Sequence, residues 1–288
     1  FIFNSISGVK QGGNLAPVLF LFVVQAAIEI MHKKWSANQI QTPDLKYFPS
    51  ESDGFLNKRS TKKGAPLHHN AALYADDSAF IFLSKAELIA GTILVQQTFA
   101  QFGLEVHLGC TNTPKSTSKT EAMYFPSHSR PIDEIEEELV NGKFVIPGNK
   151  FVKFTHRFKY LGTYITQDLS DNTDIDERIL SASKNFNALG KEIFRNRKIS
   201  LHIRCRLYIA TTVNILLWGC DTWALTCLQL TRLEVFHRKC IRKMLGITMH
   251  QVKEHEIKNE FIMKKSNLKR VETYLRIRQL RFLTSIAH

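Results

Sequence analysis

Two carboxylates stand side by side at Asp76 and Asp77, between the apolar runs Ala71–Tyr74 and Ala79–Leu83. Adjacent aspartates repel each other and are costly to bury, so apolar flanks call for something that offsets their charge. A divalent cation does so, because hard oxygen ligands suit Mg²⁺ and its charge opposes theirs. On the dipeptide alone a solvated hairpin turn competes with a metal site, since Asp is common in turns. A second chemically suggestive segment is Gly8-Val9-Lys10-Gln11-Gly12-Gly13-Asn14, where glycines let the backbone approach a ligand closely. The 11 His and 5 Cys show no HExxH, CxxC or paired zinc spacing.

The surrounding pattern predicts the elements that hold these residues. Phe1–Ile6 reads as a strand and Gly8–Asn14 as a loop. Leu15–Ala37 reads as a buried helix, with Asn14 as its cap and Pro17 in its first turn. Its interruption by Pro17, Gln25 and Glu29 argues against a membrane span. Asn38–Asn70 is a polar loop, and Leu67–Tyr74 with Ser78–Leu83 forms a hairpin displaying both Asp at its tip. Lys85–Phe102 is an amphipathic helix ended by Gly103. Strands are expected at Leu104–Leu108, Glu121–Phe125, Lys143–Val152 and Phe158–Ile165, with an acidic linker at Arg130–Glu138. Helices follow at Asp174–Arg195, Leu201–Trp218, Cys227–Leu245, Gln251–Ile262 and Leu268–Ala287. The fold class is therefore α+β, a small antiparallel sheet backed by helices and then a mostly helical subdomain.

Charge divides the chain more sharply than hydropathy does. The net charge is +13; residues 1–190 hold 19 basic and 19 acidic side chains, and residues 191–288 hold 20 and 7. A basic field confined to the last third attracts polyanions, with nucleic acid favoured over a generic solvated surface. The odd cysteine number argues against a disulfide framework and fits a reducing, intracellular setting, nuclear or cytoplasmic.

Four segments, taken in order, resemble the reverse transcriptases of non-LTR retrotransposons and their intron-encoded relatives. They are Gly8–Pro17 (nucleotide-binding loop and helix start), Tyr74-Ala75-Asp76-Asp77 (catalytic hairpin), Lys119-Thr120 ahead of a strand, and Phe158-Lys159-Tyr160-Leu161-Gly162 (primer-gripping hairpin). Leu217–Trp223 and Arg238–Gly246 resemble thumb and post-thumb sequence of the same elements. The resemblance implies a polymerase palm over residues 1–170 and a basic helical thumb and post-thumb region over 171–288. It implies RNA-directed DNA synthesis, with an RNA template, a DNA primer and deoxynucleoside triphosphates as partners and no membrane.

The implied chemistry is in-line attack of a 3′-hydroxyl on an α-phosphate, with two Mg²⁺ ions (Mn²⁺ as substitute) about 3.5–4 Å apart stabilising the attacking and leaving oxygens. Asp76 is the expected direct ligand, and Asp77 either ligates too or supports from behind. Gln11, Gly12 and Tyr74 are expected to face the incoming nucleotide, and Lys119 to assist the departing pyrophosphate or to be simply solvated. Pro17 is expected under the template strand or as a helix starter, and Tyr160, Leu161 and Gly162 as a primer grip or as ordinary strand packing. Trp218 and Trp223 are expected to pack in a core rather than to stack on bases.

The sequence also departs from the family. A third carboxylate belongs on a strand before the Gln-Gly loop, but no acidic residue precedes Glu29. Ala16 stands where many relatives carry Ser, and Cys110–Ser118 reads as an insertion. No endonuclease motif, RNase H set or CCHC knuckle is present. The expectation is thus an N-terminally truncated polymerase, inactive by itself. The competing readings are a non-catalytic RNA-binding remnant or maturase-like protein, and a helical scaffold with no nucleic-acid role.

Overall fold

The computed structural model describes residues 15–43, 45–47, 67–69, 71–113, 115–126 and 142–286. Over these the chain is mixed α+β, with small sheets first and a mostly helical region after them. It divides into two compact units, Phe1–Ala122 with Gly142–Phe154, and Met123–Asn141 with Thr155–His288. This division groups the hairpin of residues 157–166 with the helices.

In the first unit, α1 (Ala16–Ala37) carries Pro17 in its first turn, where a missing N–H costs no hydrogen bond. Leu15 caps it without a side-chain bond, and the expected cap Asn14 lies outside the described residues. Val24, Ala27, Ile28, Met31 and Trp35 repeat at helical spacing and form its buried face. That face packs on α2 (Lys85–Gln101) around Val95, Leu94 and Phe99. The Lys34 ammonium ties the two helices by donating to Thr98 Oγ1 and Gln101 Oε1, each at 3.1 Å. Ser84 starts α2 by accepting from the Glu87 amide at 3.2 Å.

The expectation of a buried helix holds only for the C-terminal half of α1. Val18, Leu19, Leu21 and Phe22 are exposed in the N-terminal half. By length and composition α1 is long and apolar enough to cross a membrane, with 22% of its most apolar window buried.

The strands are short. Within the expected polar loop, β1 (Leu45–Tyr47) pairs antiparallel with β2 (Leu67–His69). Next, β3 (Ala71–Tyr74) pairs antiparallel with β4 (Asp77–Phe80), Tyr74 standing opposite Asp77. A separate sheet centres on β8 (Lys150–Phe154). It pairs antiparallel with β7 (Lys143–Ile146) and β5 (Gly109–Cys110), and parallel with β6 (Glu121–Ala122). The small antiparallel sheet expected from the sequence is thus several small sheets, and one strand pair, β6 with β8, is parallel.

No strand forms at Leu104–Leu108, because the alternation there has another cause. Leu104 and Val106 turn toward the α1–α2 cluster while the backbone stays unladdered. Likewise Glu121–Phe125 contributes only the two residues of β6.

The second unit opens with the hairpin β9 (Arg157–Tyr160) and β10 (Thr163–Thr166). It continues through α3 (Asn172–Ala188), a π-helical turn (Gly190–Phe194), α4 (Leu201–Tyr208), a second π turn (Ile209–Val213) and the short α5 (Asn214–Leu216). Then come α6 (Cys227–Leu245), α7 (Met249–Glu254), α8 (Asn259–Ser266) and α9 (Val271–Ile286). The expected single helix over Gln251–Ile262 is broken. Glu256 takes a positive φ of 46°, and the Ile257 amide bonds back to Val252 at 3.0 Å, returning Ile257 to the core.

This core is larger than the first unit's. Phe186 and Phe194 stack at 4.7 Å, and Tyr208 meets both edge-on. Among the described residues the buried Arg204 guanidinium has no carboxylate partner; it donates to the Phe194 carbonyl at 3.1 Å and the Met244 carbonyl at 2.6 Å, joining two segment ends.

Candidate functional site

The twin aspartates sit where a two-residue connection joins β3 to β4. Ala75, the first residue of that connection, has φ +53°, a left-handed conformation that costs a residue with a Cβ about 1–2 kcal/mol. Strain of this kind persists only where the surroundings enforce it. The enforcing contacts lie on the far arm of the hairpin. Trp35 of α1 meets Phe80 edge-on at 5.5 Å and Phe82 at 5.2 Å. Phe82 in turn presses on Gly91 of α2, where an added Cβ would stand 2.3 Å from the ring. Both helices therefore fix the path of the chain leaving the Asp turn.

Asp76 and Asp77 are both exposed, and Tyr74 is 64% exposed. The burial argument drawn from their apolar flanks consequently does not hold, because the carboxylates are not removed from water. An apolar depression of about 340 Å³ lies beside them, lined by Val18, Leu21, Phe22 and Gln25 of α1 and by Leu73 and Ala75 of the hairpin. Asp76 follows the lining residue Ala75 directly. As hard oxygen donors on a fixed turn the two carboxylates fit a divalent cation. Among the described residues no group of three or more His, Cys, Asp or Glu forms around them.

The remaining predicted residues distribute as follows. Gln11 and Gly12 lie outside the described residues. Pro17 is exposed on the first turn of α1. Lys119 is exposed, and its amide donates to His107 Nδ1 at 3.3 Å. Tyr160, Leu161 and Gly162 all belong to the second unit, at the tip of β9–β10.

That second hairpin is locked by a polar cluster centred on Asp174 of α3, which is 1% exposed. Its carboxylate accepts from the Tyr164 amide at 3.1 Å and from the Trp223 indole at 3.0 Å, and pairs with Arg178 at 3.4 Å. Arg178 also donates to the Gly162 carbonyl. Leu161 and Gly162 have φ +48° and +85°, the two positive values that a tight hairpin needs to match strand twist. The segment Leu217–Trp223 is held from α9, where Arg278 donates to the Leu217 carbonyl and Gln279 to the Trp223 carbonyl, each at 2.9 Å.

Sequence reasoning missed Asp174 and Arg178. The available signal was their four-residue spacing on one predicted helix, which places opposite charges on one face. Trp223 is 4% exposed, as expected of a core residue, but Trp218 is 56% exposed and departs from that expectation.

A cationic face forms at the C-terminal end of α6. Arg238, Lys239, Arg242 and Lys243 occupy two successive turns, and no ion pair engages them among the described residues. Arg197 lies against Gly246 at the same helix end. Burial, and then the neighbouring Arg238, pull the Arg242 guanidinium below its ordinary pKa.

All five cysteines are free thiols. Burial pushes Cys220 up to about 11 and Cys240 up to about 12, so both stay protonated and unreactive. No family model, curated protein or solved structure matches this chain.

Proposed function

We propose that this chain supplies palm and thumb parts of an RNA-directed DNA polymerase of the non-LTR retrotransposon type. The observation that carries the reading is the tight β3–β4 hairpin, which presents Asp76 and Asp77 at a strained turn beside a depression on α1. Asp76 and Asp77 would hold Mg²⁺, which lowers the barrier to nucleotidyl transfer by stabilising charge on the attacking and leaving oxygens. The chain's own part is to hold those carboxylates still and to offer the α1 surface to the nucleoside. Tyr74, opposite Asp77, would face the incoming nucleotide, the role also proposed for Gln11, Gly12 and Lys119.

The second unit fits the thumb. Arg238, Lys239, Arg242 and Lys243 on α6, which no ion pair engages among the described residues, suit duplex phosphates, and Tyr160, Leu161 and Gly162 sit on a locked hairpin as a primer grip requires. On this reading the exposed turns of α1 meet nucleic acid or protein, and no membrane is involved. Among the described residues no third carboxylate joins Asp76 and Asp77, fewer than a two-metal site uses, so on this reading the chain alone binds a hybrid duplex without extending it.

A second reading, a non-catalytic RNA-binding or maturase-like protein, is favoured by the lack of a third acidic ligand among the described residues. Primer extension on an RNA template, by a polypeptide in which this chain follows an upstream polymerase segment, separates the two. The polymerase reading expects extension that Asp76→Ala abolishes while hybrid binding persists. Extension that survives Asp76→Ala would refute it, and hybrid binding without any extension would favour the second reading.

A further inference from the structure

The β9–β10 ribbon needs no outside donor to stay paired. Its strands align over four residue pairs, and Leu161 and Gly162 supply the two positive φ values of a tight turn. Yet a buried ion pair of the second unit is directed at its tip. The Arg178 side chain is 13% exposed and that of Asp174 1%. Arg178 Nε faces Asp174 Oδ1 at 3.4 Å, and Arg178 Nη2 donates to the Gly162 carbonyl. Asp174 accepts from the Tyr164 amide, two residues further along the chain.

Desolvating both charges offsets most of what their attraction contributes, so the net stability gained from such a pair is small. What the pair does fix is where the tip stands. Its two anchors, at Gly162 and Tyr164, come from residues one turn apart on α3. The anchor is itself held, because Asp174 also takes the Trp223 indole and Gln279 of α9 takes the Trp223 carbonyl. Leu161, between the anchors and the end of β9, stays 42% exposed. The tip is thus fixed from the α3 side and left open to contact at Leu161.

We propose that Arg178 is a positioning residue: acting through the Gly162 carbonyl, it sets the hairpin tip where the terminal nucleotide of a primer strand is gripped. This rests on the polymerase reading above and adds to it the residue that orients the grip. It makes no use of metal at the Asp76–Asp77 turn. Arginine suits this place better than lysine, because a planar fork serves a carboxylate and a carbonyl together, whereas an ammonium is a single point of charge.

The test titrates the full chain with two RNA–DNA hybrids, one blunt and one with a recessed DNA 3′ end whose last base is 2-aminopurine. A positioned tip predicts that the recessed hybrid binds about 10-fold tighter, as one hydrogen bond to a charged phosphate provides, and that 2-aminopurine fluorescence changes on binding. Arg178→Met and Arg178→Lys are expected to lose both responses, while the blunt hybrid binds within about 2-fold of the unsubstituted chain because its phosphates meet α6. A purely structural role would weaken both hybrids together. Arg178→Lys keeps a cation beside Asp174, so it decides the matter should Arg178→Met fail to fold. A recessed-end preference that persists in Arg178→Lys, or equal weakening of both hybrids, overturns the positioning role and leaves the polymerase reading standing. An unsubstituted chain that binds both hybrids equally does the same. Failure to bind either hybrid overturns the role and the reading together.

Discussion

The indole N–H of Trp223 donates to Asp174 Oδ2 at 3.0 Å across 49 residues of sequence, and both side chains are buried. The other oxygen serves the Tyr164 amide and Arg178. One carboxylate therefore connects the β9–β10 hairpin, α3 and the turn before α6. Removing it leaves an indole and an amide without their acceptor and a buried guanidinium without its counter-charge. Asp174→Ala is expected to cost about 3–5 kcal/mol, as for one partner of a buried pair, and Asp174→Asn about 1–3 kcal/mol because an acceptor remains. Urea unfolding of the two variants measures the difference, and equal, negligible losses would contradict the clasp.

His237 gives the second unit a pH dependence. Its Nε2 faces the Lys269 carbonyl at 3.1 Å, which can only accept, so Nε2 carries the proton and the Tyr208 hydroxyl donates to Nδ1 at 2.9 Å. Burial lowers the ring's pKa from 6.5 to about 4. Above pH 6.5 the ring is neutral whether folded or unfolded; between 6.5 and 4 only the unfolded chain gains the proton. Stability should fall by about 3 kcal/mol as pH drops through that window. His237→Gln should flatten this slope, and unfolding free energies at intervals from pH 7 to 4 would show whether it does.

Two glycines separate strain from crowding. Gly219 has φ +75°, and a Cβ there would stand 2.5 Å from Thr163 Oγ1; Gly103 has φ +70° with nothing within 4 Å. Gly103→Ala is expected to cost about 1 kcal/mol from the left-handed backbone alone. Gly219→Ala adds a collision and should cost about 2–3 kcal/mol, as overpacking does. Thermal unfolding ranks the pair, and a Gly219→Ala loss no greater than that of Gly103→Ala would remove the close approach from the account.

The cationic end of α6 predicts a salt signature. If Arg238, Lys239, Arg242 and Lys243 meet phosphates, hybrid affinity falls steeply with salt, and Lys243→Ala reduces the log–log slope by about 1. Filter binding at several salt concentrations measures it; a slope near zero would exclude a phosphate-contacting face.

Periodicity made part of this molecule readable. Cys227–Leu245 was visible end to end, because Thr226 and Gln229 form a capping box at its start and Gly246 takes φ +72° just past its end. The Asp hairpin was legible from its flanking apolar runs. Other features depend on partners distant in sequence. The π turns at Gly190–Phe194 and Ile209–Val213 leave no local mark in an otherwise helical pattern. Leu104 and Val106 alternate like a strand because they face a helix pair. Trp218 and Trp223 share the same apolar neighbourhood in sequence, yet Asp174 draws one inward while the Leu161 carbonyl holds the other at the surface. The exposure of Asp76 and Asp77 was also not readable, since their apolar neighbours Leu73 and Tyr74 are themselves exposed.

Metal at the Asp76–Asp77 turn is the central claim, and it can be tested without turnover. With Fe²⁺ in place of Mg²⁺, ascorbate and peroxide generate hydroxyl radicals that cut the backbone beside the bound ion. The account predicts cleavage at the β3–β4 turn that excess Mg²⁺ suppresses and that Asp76→Asn with Asp77→Asn abolishes. An uncut turn, or a cut that persists in the double variant, would contradict it.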